Sequence, residues 1–417
     1  MLLAQASALP DDRLRRITRL RSLAPRAIAE AAVELLELRR RARAKFADAD
    51  EMFFTPEGLE QATGDSVAAY RASRFPEGIG ILDACSGVGG DARLFAERGT
   101  VIAVDCNLDA AVCTRLNCTI GPGRLRGGLA FTTICADVTR LPLKRLADRG
   151  IGAAFFDPSR RADDRFGGRR RMVCGHDYAP PLEWANVLRT HFGSVAVKVS
   201  PAIDDDSLAG FEGARIEFIS SRGECKEAVI WLDGCANHLQ LAERVPEPYF
   251  ATVLRSGSAP QTLAPFRCSS LESAPVGEFL YEPDPAVIRA HLIPQLASDI
   301  SAAWIELGVA YLTSNRYVAT AFASAFRIVD HLPYDRKEVQ RRLRTLGAHL
   351  YSVKKRGVPL DPVAVHKELA PCGDLPLDLV LMRKSGRVLA MLCSRLNAED
   401  EWAASTSTEG PPILKME

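Results

Sequence analysis

Residues that could do chemistry are densest in this 417-residue chain at positions 81–91, ILDACSGVGGD. An apolar run suited to a strand enters a glycine turn there, and the following ARLFAERG has the pattern of a helix. That order aims backbone N–H groups and a helix N-terminus at whatever approaches the strand's carboxyl end. Gly87 and Gly89 are expected where a side chain would block a close ligand. With Ala92 they also satisfy the loose spacing G-x-G-x-x-A, which more than one cofactor class shares.

Three acids narrow the choice. Asp105 ends the next apolar run, VIAVD, where a carboxylate can accept from both ribose hydroxyls of an adenosine cofactor; NAD and S-adenosylmethionine suit it equally. Asp83 discriminates, because a carboxylate ahead of the glycine turn repels a pyrophosphate but attracts the cationic amino end of S-adenosylmethionine. Asp137, in CADV, follows the third run and could accept from the adenine amine. Cys85 in the turn and Cys106 after Asp105 flank the same edge and complete the expected cofactor-binding set. The ordinary alternative for any one strand-end aspartate is a turn or helix cap; three in register with a glycine loop favour a ligand.

A fourth run, IGAAFFD, leads into Asp157 and Pro158, then Arg160 and Arg161. An Asp-Pro step at this edge can accept hydrogen bonds from a target amine, so Asp157 and Pro158 are expected catalytic residues. An in-line methyl displacement from an activated sulfonium rests on positioning and needs no metal. Arg165, Arg169, Arg170 and Arg171 extend the cluster. With Arg161 they could bind phosphate, or they could form a solvated loop. A second basic set, Arg336, Lys337, Arg341, Arg342, Arg344, Lys354, Lys355 and Arg356, lies in a segment, 335–395, with thirteen basic and six acidic residues. A solvated helix face or contact with nucleic acid would explain it, and Arg341, Arg342 and Arg344 are the expected substrate-binding residues there. His176, beside Asp177 and Tyr178, is a weaker candidate base.

Elements that could hold these groups follow from periodicity. Residues 23–46 read as one long amphipathic helix, and Thr55-Pro56-Glu57 starts another, so 1–75 form an expected helical cap. Over 76–235, seven short apolar runs alternate with helical stretches, which argues an α/β, Rossmann-like parallel sheet. Between the last two runs, ARIEFIS and EAVIWLD, lies only the short stretch SRGECK with a hairpin-length turn at 221–224, so the seventh strand should be antiparallel, as in class I methyltransferases. Residues 236–330 read as a connecting region, partly helical from Pro285 to Leu307. Residues 331–397 read as a small basic α+β domain, and 398–417 as a tail.

Composition excludes little else. Hydrophobic residues make up 47% and charged residues 25%, with a net charge of +1, so whole-chain charge names no partner. Eleven cysteines at irregular spacing, without Cys-x-x-Cys, fit neither a disulfide framework nor a zinc ribbon. Cys106, Cys113 and Cys118 are expected to be buried thiols, no metal is expected, and the compartment reads as reducing cytoplasm. No run is long enough for a membrane helix, and the first residues reverse the order of a secretory signal.

These motifs resemble the bacterial class I S-adenosylmethionine-dependent methyltransferases that carry a C-terminal THUMP-like domain. The resemblance rests on TPEGLEQAT at 55–63, LDACSGVGGDA at 82–92, VDCN at 104–107, DPSRR at 157–161, DYAPPL at 177–182 and RGECKEA at 222–228. YEPDPAVIRA from Tyr281 and KKRGVPLDP from Lys354 extend it. It implies S-adenosylmethionine as cofactor, contacts from Asp83, Gly87, Gly89 and Asp105, and an active-site mouth at Asp157, Pro158 and Arg160. A THUMP-like domain implies RNA, transfer or ribosomal, as partner, with an exocyclic base amine as one acceptor. The aromatic residue that would stack on a flipped base is absent after Asp157-Pro158. A nicotinamide-dependent oxidoreductase, and a nucleic-acid-binding protein with an inactive methyltransferase fold, are the competing readings.

Overall fold

The computed structural model describes residues 2–10, 12–119, 130–160, 174–239, 248–268, 272–369 and 373–396. They fall into two compact units: Met1–Ser221 with Lys226–Gln240 and Leu254–Pro260, and Arg222–Cys225 with Leu241–Val253 and Gln261–Glu417. No helix among the described residues is long and apolar enough to cross a membrane.

In the first unit the long N-terminal helix runs Arg26–Ala42, with Pro25 at its N-cap and Ala29, Ala32, Val33, Leu38 and Ala42 on its buried face. It is shorter at both ends than the expected span. Thr55 caps the helix Pro56–Gln61, its hydroxyl accepting from the Gly58 N–H. The helix Asp65–Ala72 follows.

The seven expected strands are all present: β1 Gly80–Ala84, β2 Val101–Asp105, β3 Phe131–Cys135, β4 Ile151–Phe156, β5 Ser194–Val199, β6 Arg215–Ser221 and β7 Glu224–Asp233. β1 pairs in parallel with β2 and β4, β2 with β3, and β4 with β5. β7 runs antiparallel to β5. Arg222 and Gly223 in the turn before β7 both have positive φ, 55° and 75°, the twist that a two-residue hairpin needs. The sheet counts nine strands rather than seven, because β8 Tyr249–Leu254 and β9 Gln261–Leu263 continue it in the order β9-β8-β6-β7-β5-β4-β1-β2-β3. A second difference concerns the glycine turn: the helix after it is one turn long, Ala92–Phe95, instead of the full ARLFAERG stretch.

Seven further strands form the second unit's sheet: β10 Phe279–Pro283, β11 Ala303–Trp304, β12 Leu312–Ser314, β13 Ala323–Pro333, β14 Ala348–Arg356, β15 Leu375–Lys384 and β16 Arg387–Arg395. Their order is β11-β12-β10-β13-β16-β15-β14, all antiparallel except β14 with β15. β10 to β13, which begin before residue 331, therefore share one sheet with the basic segment. The helical pattern from Pro285 is two short helices, Pro285–Arg289 and Ile293–Asp299, ending before β11. Helices Arg336–Thr345 and Pro362–Glu368 bury Val339, Leu343 and Val365 against Leu350, Leu377, Leu379 and Leu392. The sheet is strongly curled. Glu282 on β10 accepts from Lys354 on β14 at 2.6 Å, whereas four strand spacings in a flat sheet would separate them by about 19 Å.

Candidate active site

The turn after β1 has the strained backbone that its glycines suggest, with φ of 68° at Cys85, 56° at Gly87 and 80° at Gly89. The two glycines serve different ends. A Cβ on Gly87 would meet nothing within 4 Å, so the backbone there borders open space. A Cβ on Gly89 would lie 3.0 Å from Thr114 Cα, so Gly89 is needed for close packing on the helix Leu108–Cys118. That helix also clamps the turn: Thr114 Oγ1 donates to Gly87 O at 2.8 Å, and Asn117 Nδ2 donates to Val88 O at 2.8 Å.

Asp105 receives the Gly87 N–H on Oδ2 at 2.9 Å and the Asn107 N–H on Oδ1 at 2.8 Å. Burial nonetheless raises its carboxyl above the ordinary range, against the lowering effect of those two amides. Asp83 is more extreme. It is 1% exposed, and neither carboxylate oxygen has a hydrogen-bond partner among the described residues. Burial, and then the charges of Asp91 and Asp157, push its carboxyl well up, with Arg71 opposing.

Strand register explains why these charges meet. Asp83 pairs with Ala103 and Phe155, Phe155 with Ala196, and Lys198 with Val229. Because side chains alternate along strands, Asp83, Phe155, Lys198 and Glu227 share one face, and Asp105, the last residue of β2, and Asp157, just past β4, continue it. On that face Phe75, Phe95, Phe155 and Trp231 form an edge-to-face aromatic cluster, and the charges sit at its carboxyl-edge end. Arg71, fully buried on the helix Asp65–Ala72, lies over Phe155 at 4.5 Å, donates to Asp91 Oδ1 at 2.7 Å and pairs with Glu227 at 3.0 Å. Lys198 Nζ donates to Asp157 Oδ2 at 2.7 Å. Burial pushes Glu227 up to about 7 despite Arg71 and Lys198.

Lys198, Arg71, Asp91, Glu227, Thr114 and Asn117 escape sequence reasoning. The available signal was a polar residue inside an apolar run, as Lys198 stands in SVAVKVS. The other expected residues are placed as follows. Pro158 is buried, and Arg160 is exposed in a two-residue ladder in which it pairs with Tyr178, whose hydroxyl accepts from the Ser200 N–H. Asp137 caps the short turn Val138–Arg140: its Oδ1 accepts from the Thr139 N–H and hydroxyl, which holds its carboxyl low. Cys106 is exposed at the edge, and its carbonyl accepts from Cys135 Sγ; Cys113 and Cys118 are buried thiols. Arg161, Arg165, Arg169, Arg170 and Arg171 lie outside the described residues.

Cys174, His176 and Asp177 bring three potential metal-ligating atoms together, but Asp177 Oδ2 already accepts from the Cys174 N–H in a capping box. In the second unit Arg341 is hydrogen-bonded to Glu338, Arg342 lies 3.3 Å from Asp330, and Arg344 is exposed.

The first unit's edge thus offers open space beside Gly87, an unpartnered buried carboxylate, and four acids against the cations Arg71 and Lys198. A pyrophosphate would meet repulsion there, whereas a ligand with an ammonium and a sulfonium would relieve it, so the residues fit S-adenosylmethionine.

Residues 323–395 match the THUMP domain-like family. Two relatives, from Mycobacterium tuberculosis strains CDC 1551 / Oshkosh and ATCC 25618 / H37Rv, are each described as an uncharacterized S-adenosylmethionine-dependent methyltransferase. Each is 31% identical over 363 residues, covering 84% of this chain and 92% of its own length. A crystal structure of a protein from Porphyromonas gingivalis W83, designated a methyltransferase, superposes with a TM-score of 0.77 at 20% identity. That match covers 95% of this chain and 98% of the other. The likeness extends the shared fold over both units. With the strand order, the glycine turn and the acidic edge, these matches show that the chain belongs to the class I S-adenosylmethionine-dependent methyltransferases and carries a THUMP-like domain at its carboxyl end.

Proposed function

We propose that this enzyme methylates RNA. The observation that carries the reading is the THUMP-like match over 323–395, in a segment rich in basic residues. Bound S-adenosylmethionine supplies a methyl group already activated on a sulfonium. In this reading Asp83 takes the cationic amino end, and Asp105 takes ribose hydroxyls with the lone pairs that Gly87 and Asn107 leave free. Gly87 allows close approach, Gly89 sets the turn, and Cys85, Cys106 and Asp137 border the adenosine. Asp157 faces the acceptor with its Oδ1, and Pro158 and Arg160 shape that mouth. Transfer or ribosomal RNA is the partner, held by Arg344 and its basic neighbours, with Arg161, Arg165 and Arg169 next to the mouth in sequence. An exocyclic base amine is the acceptor that an Asp-Pro step alone would suit.

Incubation of the purified protein with methyl-labelled S-adenosylmethionine and total cellular RNA tests the proposal. Ribonuclease-sensitive label that digests to a single modified nucleoside is expected. Label confined to protein or small molecules would overturn the RNA substrate, and cofactor binding without turnover on any substrate would favour an inactive RNA-binding protein.

A further inference from the structure

Lys198 is the single charged residue in the six-residue strand β5, and its side chain is 16% exposed. Placing an ammonium in a central strand is unfavourable unless something requires it, and here it holds Asp157 Oδ2 at 2.7 Å. Asp157 Oδ1 has no hydrogen bond within the described residues. We propose that Lys198 makes this an oxygen-methylating site: the acceptor is a hydroxyl, and on the RNA reading, on which that last step rests, a ribose hydroxyl.

The argument is electrostatic. Methylating a neutral amine moves positive charge onto the acceptor nitrogen. An ammonium fixed beside the acceptor opposes that change, and the group it holds is the carboxylate that would have favoured it. A hydroxyl behaves in the opposite way, because its oxygen gains negative charge as its proton leaves, and a neighbouring cation stabilises that charge. Lys198 is suited to remain charged: burial disfavours its ammonium, but Asp157 and Glu227 outweigh that and raise its pKa. It is therefore a fixed cation rather than a base. As the new C–O bond forms, the O–H bond breaks, its proton passes to Asp157 Oδ1 and on to water, and the S–C electron pair stays on sulfur as a neutral thioether. Glu227, on the same sheet face and paired with Arg71 at 3.0 Å, adds a second negative charge that favours the ammonium.

The test uses S-adenosylmethionine carrying a 13C methyl group, the full chain, and two acceptor pools: total cellular RNA and an RNA-free extract. The 13C shift separates O–CH3 from N–CH3 whatever molecule carries the label. With the wild-type protein an O–CH3 signal is expected. Lys198→Met should lose it by about 100-fold, and Lys198→Arg should recover most of it, because the charge returns. Calorimetric affinity for S-adenosylmethionine should stay within about threefold in both variants, which a merely structural lysine would not allow. An O–CH3 signal only in the RNA-free pool would sink the RNA reading and leave this one standing. An N–CH3 signal in RNA would do the reverse. Signal in neither pool, or full O-methylation by Lys198→Met, would also overturn the inference.

Discussion

The two units handle charge in opposite ways. In the first, Asp83, Asp91, Asp157 and Glu227 converge on Arg71 and Lys198, and the buried Asp83 has no hydrogen-bond partner among the described residues. In the second, the basic excess is answered locally: Arg336 pairs with Glu368, Arg341 with Glu338, Arg342 with Asp330, and Lys354 and Arg356 with Glu282. Of the eight basic residues singled out there, Lys337, Arg344 and Lys355 are exposed without such a partner among the described residues. Exposed pairs such as Arg336–Glu368 and Arg341–Glu338 contribute little to stability, about 0 to 1 kcal/mol, and cost little to keep, and the half-buried pairs are each answered by a carboxylate. A buried, unbalanced acidic cluster is expensive, and it persists where a ligand or reaction uses it. The number of charges therefore says less about function than whether they are buried and answered.

Removing the acid at the acceptor side should break the first unit most sharply. Asp157→Ala should reduce turnover about 10²- to 10⁴-fold while leaving cofactor affinity nearly unchanged. Equal loss in kcat and in calorimetric affinity would move Asp157 into the cofactor shell instead. Asp105→Ala comes next, with cofactor binding weakened by about 1 to 3 kcal/mol through loss of hydrogen bonds to a charged acceptor. Unchanged affinity in a folded Asp105→Ala protein would refute the ribose assignment.

The acidic cluster also sets an unusual pH dependence. Asp83, Asp91, Asp105 and Glu227 all have pKa values raised by burial, so the folded protein holds protons more tightly than the unfolded chain does. For Glu227 the contribution is fully present below the unfolded value near about 4.3 and is lost as pH rises through about 7. Thermal stability without cofactor should therefore fall between those limits, and Glu227→Gln should flatten the decline by on the order of 2 kcal/mol. S-adenosylmethionine, as a cation, favours the ionised acids, so its binding should release protons and tighten as pH rises over the same window. Calorimetry in buffers of different ionisation enthalpy would detect the proton release, and proton uptake would contradict it.

Much of this was legible in the sequence. Seven apolar runs, a hairpin-length turn and a glycine loop fix the order and direction of β1 to β7, because strand period and loop length are local properties. Asp83 and Asp105 were visible from their positions at strand ends. Lys198 and Arg71 were not, because their importance lies in partners far along the chain: Asp157 for one, Asp91 and Glu227 for the other. The strand-like run YFATVL is β8, but the pattern shows neither its place in the sheet nor β9, nor that β10 to β13 belong with the basic segment, since edge strands in a stretch rich in Ser, Pro and Gly carry weak periodicity. The equal weight given to Arg341, Arg342 and Arg344 had the same cause: a helical run of arginines does not reveal which ones meet Glu338 and Asp330.

The smallest expected effect tests the second unit. Phosphate contacts on single strands lower log affinity with log salt at a slope of about 0.7 per contact. If Arg341, Arg342 and Arg344 all met phosphate, the triple alanine variant would flatten the RNA-binding slope by roughly two units. Arg341 and Arg342 already face Glu338 and Asp330, so an RNA phosphate would have to displace those carboxylates or sit beside them. The triple variant should then flatten the slope by only about 0.7, and Arg344→Ala alone should match it. Replacing the unanswered trio Lys337, Arg344 and Lys355 should exceed both, at up to about two units, without changing cofactor affinity. A slope that Lys337, Arg344 and Lys355 leave untouched, but that Arg341 and Arg342 control, would show that their pairing opens on RNA binding, and the contrast between buried and exposed charge would then fail in the second unit.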